Sequence, residues 1–105
     1  MRVADDSDMQ VIVHGGANRI GGNCIEVSSG NARIVLDAGL PLDAFNESAP
    51  ATPAVAGLFG PGRPVDGLFL SHAHADHSGL IAATRAEVPV WMSEGTSKML
   101  LAGSL

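Results

Sequence analysis

At 105 residues and 46% apolar content, the chain is one domain at most, or a piece of one. Its net charge is −5 and its six Lys and Arg residues stand singly, so it offers no basic patch for nucleic acid. It has no run of about 18 apolar residues to span a membrane, its single cysteine excludes an internal disulfide, and its N-terminus MRVADDSDMQ is no signal peptide, so cytoplasm is the expected location.

In chain order, residues 1–8 read as a polar leader and MQVIVHG, 9–15, as a short strand. GGANRIGGN, 15–23, has four glycines in nine residues and predicts a sharply turning loop. A strand follows it, not a helix, so it is no dinucleotide fingerprint. A phosphate cradle is one reading of it, and a tight inter-strand turn beside the site is the one favoured here. NCIEVSS, 23–29, and ARIVLDAG, 32–39, flank Gly30-Asn31 and predict a hairpin, with Cys24 and Glu26 on one face and Ile25 and Val27 on the other. Residues 40–64, rich in Pro, Ala and Gly, predict a long surface connection with a helical turn near 53–58. VDGLFLS, 65–71, is a buried strand, DHSGLIAATRAE, 76–87, a helix, VPVWMS, 88–93, a strand, and EGTSKMLLAGSL, 94–105, a helical pattern. Early antiparallel strands followed by alternating units predict an α/β (α+β) layered domain over 9–105. Cys24 reads as a small buried hydrophobe, His14 as structural, and Met92, Met99, Leu100 and Leu101 as core.

The chemistry concentrates in LSHAHADHSG. Three of the four histidines, His72, His74 and His77, fall within six positions, with Asp76 among them. Imidazole and carboxylate suit borderline and hard divalent metals. In an extended segment His72 and His74 share one side and reach one ion. Asp76 and His77, at the turn into the helix, face a second point. Two such pairs suit a two-metal site with ions about 3.5–4 Å apart, which lowers the pKa of a water and makes it a nucleophile. Asp76 would both bind metal and orient that nucleophile. A structural zinc site, the competing reading, favours cysteines or wider ligand spacing.

HAHADH matches the HxHxDH signature of the metallo-β-lactamase superfamily of metal-dependent hydrolases, with the strand GLFLS leading in. VLDAG resembles the family's first motif, a strand-terminal Asp supporting the metal loop. The resemblance gives that role to Asp37, which read alone is a turn carboxylate. GGANRIGGNCIEV followed by RIVLDAG, and VPVWMSEGTSKML, resemble the RNA-processing branch, the β-CASP or ribonuclease J-like nucleases. The resemblance implies the N-terminal half of a four-layer αββα sandwich, with a mainly antiparallel or mixed sheet and flanking helices. It implies two divalent ions, zinc by default with manganese or iron compatible. The remaining ligands would come from a C-terminal half or a partner chain, and a homodimer is compatible. The 105 residues alone are then expected to be inactive. The implied function is phosphodiester hydrolysis of RNA. A thioester or lactam hydrolase of the same superfamily and a non-catalytic metal-binding module are the alternatives.

Overall fold

The computed structural model describes residues 8–103, so all but Asp8 of the expected leader lies outside the described residues. The strands are β1 (Met9–Gly15), β2 (Cys24–Ser29), β3 (Ala32–Leu36), β4 (Gly67–Phe69) and β5 (Val90–Trp91). The helices are α1 (Ala75–Ser78) and α2 (Glu94–Gly103), with 3-10 turns at Leu42–Ala44 and Ile81–Ala83. The strands form one mixed sheet in the order β1-β2-β3-β4-β5. β1, β2 and β3 are antiparallel neighbours, and β4 and β5 continue the sheet in parallel. The expected α/β class with a mixed sheet is what the chain adopts.

The hairpin is as the sequence predicts. Ser29 pairs with Ala32 across a two-residue turn. Gly30, the first turn residue, has φ 58°, which is the demand a type II′ turn makes. The alternation in β2 also holds: Cys24 and Glu26 are buried, and Ile25 and Val27 are half-buried on the other face.

One sheet face carries the core. Val35 and Leu68, partners in register, are fully buried with Cys24, Ala38, Val55, Leu58, Val65, Leu70, Leu80 and Val88. The 40–64 connection is therefore more than a surface loop. Its turn at 55–59, closed by bonds from Leu58 and Phe59 N–H to the Val55 carbonyl, drives Val55 and Leu58 into the core. Burying both side chains contributes about 3–6 kcal/mol before the cost of ordering the loop.

Three further differences from the sequence reading have identifiable causes. The single helix expected over 76–87 is divided. Leu80 N–H bonds to the Ala38 carbonyl at 2.8 Å and leaves the helical ladder, so α1 stops at Ser78. β4 and β5 are shorter than the expected strands, because they share only three and two residues with their neighbours. Met99 and Leu101, expected in the core, are 63% and 66% exposed. Three consecutive apolar residues cannot share one helical face. Leu100 turns inward with Thr96, four residues earlier, and its neighbours face out.

Glu26 is a buried carboxylate, a costly group unless paired. Arg33 Nε donates to it at 2.9 Å, and His14 Nε2 lies 2.9 Å from its other oxygen. That accounts for His14 as structural. The Arg33 hydrogen bond holds the Glu26 pKa below its ordinary value. A lowered folded value means the stabilisation is full above the ordinary carboxylate range and is lost as pH falls through that lowered value. Glu26→Gln is expected to cost about 2 kcal/mol at neutral pH. Urea unfolding at stepped pH checks this, with the variant and native curves converging in acid. Burial, aided by the Asp37 and Glu26 carboxylates, pushes the Cys24 thiol up to about 11, as suits a packing residue and not a nucleophile.

The opposite sheet face is apolar and open. In cross-strand rows it carries Val11 and Val13 of β1, Ile25 and Val27 of β2, Ile34 and Leu36 of β3, Phe69 and Trp91. Val13 is 50% exposed and Trp91 57%. Phe69 and Trp91 stack with ring centroids 6.2 Å apart.

Candidate metal centre

β3 and β4 run parallel, so their C-terminal ends lie at one edge of the sheet, where open α/β sheets place their ligands. Asp37 follows β3, and Ser71 and His72 follow β4. Asp37 N–H donates to the Phe69 carbonyl at 2.9 Å, which locks the two chain ends together.

α1 is then strapped beside them. Its Ala75, Asp76 and His77 carbonyls accept from Leu40, Asn23 and Ala38 N–H at 2.8, 3.2 and 3.0 Å. This is possible because Gly39 has no side chain. A Cβ there would sit 1.9 Å from the Asp76 carbonyl oxygen. The glycine-rich loop closes the other flank. Gly22 N–H donates to Leu40 O, Gly39 N–H to Asn23 O, and a Cβ on Gly21 would lie 3.0 Å from the Asp76 Cβ. It is an inter-strand turn pressed against the histidine loop.

The outcome is a cluster in which ligand atoms of His72, Asp76 and His77 all lie within 4.8 Å of one another. The His72 and His77 ring centroids are 3.9 Å apart. The His74 ring stands edge-on to His72 with centroids 5.0 Å apart. Of the four residues singled out in the sequence, His72 thus groups with Asp76 and His77, and His74 stands against His72 outside that group.

Asp37 sits directly behind them. It is buried, and its φ of 66° is in the left-handed region that side chains other than glycine adopt at a cost. Its Oδ1 accepts from Ser71 N–H at 2.7 Å. Its Oδ2 accepts from Ser71 Oγ and from His77 Nδ1, both at 2.8 Å. Ser71 and Asn23 were not among the residues singled out in the sequence. Ser71 Oγ is 3.0 Å from His72 Nδ1, and Asn23 Nδ2 is 3.4 Å from His77 Nε2. For Ser71 the available signal was its place next to the motif, and for Asn23 there was none.

The donor set fits a cation. His77 lies between two carboxylates, with Nδ1 2.8 Å from Asp37 and Nε2 3.3 Å from Asp76 Oδ2. A neutral imidazole has one N–H. With that proton toward Asp37, the Nε2 lone pair and the Asp76 oxygen face each other 3.3 Å apart, two donors to which one cation could bind. A divalent ion there would complete the carboxylate–histidine–metal arrangement typical of such sites.

Among known proteins, the profile of the metallo-beta-lactamase superfamily matches residues 17–90. The chain is 33% identical over 95 residues to "Probable RNase MJ4" of Methanocaldococcus jannaschii, covering 88% of this chain and 21% of that protein. It is 37% identical over 68 residues to an "RNase J-like protein" of the same organism, covering 65% and 14%. It is 30% identical over 76 residues to "Transcription termination factor FttA" of Methanosarcina mazei, covering 72% and 12%. The chain therefore spans about a fifth or less of the length of these relatives. A crystal structure of a protein of unknown function from Enterococcus faecalis V583 superposes with a TM-score of 0.70 at 25% identity, covering 90% of this chain and 27% of that one. Two of these names, RNase MJ4 and RNase J-like, agree with the ribonuclease J-like resemblance of the sequence. Matched from the glycine-rich loop to the start of β5, the chain belongs to the metallo-beta-lactamase superfamily.

Proposed function

We propose that the 72–77 loop, backed by Asp37, is the divalent-metal centre of a hydrolase that cleaves phosphodiester bonds in RNA, and that this chain is its N-terminal part. The observation that carries the reading is the convergence of His72, Asp76 and His77 ligand atoms within 4.8 Å. The RNase names of two relatives support the substrate class. His72, His74, Asp76 and His77 would hold two ions, zinc by the donor set, with manganese or iron compatible. Such ions, when bound, supply Lewis acidity and lower the pKa of water. The chain's own residues orient the ligands: Asp37 holds His77 by its Nδ1, and Ser71 N–H holds Asp37. Asp76 is the residue we assign to aligning the nucleophile.

Four ligands for two ions leave each incompletely held, and catalysis depends on fixed geometry. The open apolar sheet face is the natural seat for the structure that supplies the rest. A contiguous apolar face of this kind on a folded chain marks an interface. We place there the second half of the αββα sandwich, from the same polypeptide or a partner chain.

Cleavage of single-stranded RNA, with and without chelator, tests the proposal on the 105-residue chain and on the product of its complete reading frame. The expected result is chelator-sensitive cleavage by the complete protein, abolished by His77→Ala, and no turnover by the 105 residues alone. Turnover of a lactam or thioester in place of RNA would contradict the substrate assignment. Robust hydrolysis by the 105-residue chain would contradict the incomplete site.

A further inference from the structure

We infer that Ser71 is a positioning residue that extends the reach of Asp37 from one histidine to two, holding His72, like His77, with Nε2 free toward the metal. The inference follows from counting protons. Asp37, a carboxylate, only accepts. Ser71 Oγ lies 2.8 Å from its Oδ2 and 3.0 Å from His72 Nδ1, and the hydroxyl has one proton to give. The charged acceptor takes it, because hydrogen bonds to ionised groups are about twice as strong as those between neutral ones. Giving the proton to His72 instead would set two oxygen lone pairs, one of them charged, face to face at 2.8 Å.

Toward His72 the hydroxyl is therefore an acceptor, and Nδ1 must bring the proton. A neutral ring with Nδ1–H has its lone pair on Nε2. His77 reaches the same state directly, through its 2.8 Å contact with Asp37 Oδ2. One buried carboxylate thus sets two adjacent rings, one by contact and one through Ser71. Without the hydroxyl, Nδ1 of His72 loses its 3.0 Å partner, and imidazole in water favours the Nε2–H form, which blocks the ligand atom.

The consequence for metal affinity rests on the metal-centre reading above, whereas the tautomer does not. The test is the imidazole nitrogen spectrum of the ¹⁵N-labelled, metal-free chain at mildly alkaline pH, followed by Zn²⁺ titration. In the native chain both His72 and His77 are expected as Nδ1–H. Ser71→Ala moves His72 to Nε2–H, leaves His77 unchanged as the control for an intact loop, and weakens Zn²⁺ about 10- to 100-fold. Ser71→Thr, which keeps the hydroxyl, restores both. A native His72 protonated on Nε2, or a Ser71→Ala chain whose His72 stays Nδ1–H, overturns the role. If the native chain shows both rings as Nδ1–H but binds no Zn²⁺, the metal reading fails and the Ser71 assignment stands.

Discussion

Replacing Asp37 by Asn is expected to weaken divalent-metal binding about 10- to 100-fold while the fold stays in place. Asn is one of the few residues that tolerate the left-handed backbone, so the φ of 66° is no obstacle to it. Its amide oxygen still accepts from Ser71 N–H, where Oδ1 of Asp37 does at 2.7 Å. On the other side the substitution reverses the chemistry. An NH₂ now faces His77 Nδ1 and Ser71 Oγ, both of which donate to Oδ2 in the native chain. His77 must accept there, and its own proton moves to Nε2, the atom that faces Asp76. Asp37→Ala is a harsher change. It strands the Ser71 N–H and the His77 ring proton, at about 1–3 kcal/mol for each unsatisfied group, and places a side chain poorly suited to positive φ. Thermal unfolding and metal titration separate the two effects. Native metal affinity in Asp37→Asn would show that Asp37 is only a turn carboxylate.

Gly39→Ala is expected to be among the most damaging single-methyl changes, costing about 3 kcal/mol or more. The added Cβ would lie 1.9 Å from the Asp76 oxygen, 2.6 Å from its carbonyl carbon and 2.7 Å from Asn23 N. All three are backbone atoms, so no side chain can rotate away. Relief requires separating the 38–40 strap from α1, which breaks the bonds from Ala38 and Leu40 N–H to His77 and Ala75 O. Those bonds set the height of His77 against Asp37. The variant should lose metal binding with stability. Gly60→Ala is the control, because a Cβ there meets nothing within 4 Å. Urea denaturation of the two variants gives the comparison, and equal midpoints would contradict the strap as the element that positions α1.

The sequence made the hairpin legible because its signals are local: two β-rich runs, a Gly-Asn turn, and an alternation that placed Cys24 and Glu26 on one face. The histidine loop was legible because its ligands are sequence neighbours. What lay hidden depends on contacts between distant segments. The early end of the helix after Ser78 is set by the Ala38 carbonyl, forty-two residues upstream of the Leu80 N–H it binds. The burial of Val55 and Leu58 arises within a stretch whose Pro and Gly content reads as surface. The hydroxyl of Ser71 gains its role only when parallel pairing of β3 and β4 brings Asp37 beside it. Asp37 itself was reached through family resemblance, since an Asp at a strand end has several local uses.

The role proposed for His72, Asp76 and His77 is to hold a divalent ion. Zinc-edge X-ray absorption of the chain loaded with one equivalent of Zn²⁺ tests it most directly. The account predicts a first shell of nitrogen and oxygen at about 2.0–2.2 Å, with imidazole scattering that weakens in His77→Ala. A sulfur shell at about 2.3 Å, or a spectrum unchanged by His77→Ala, would contradict it.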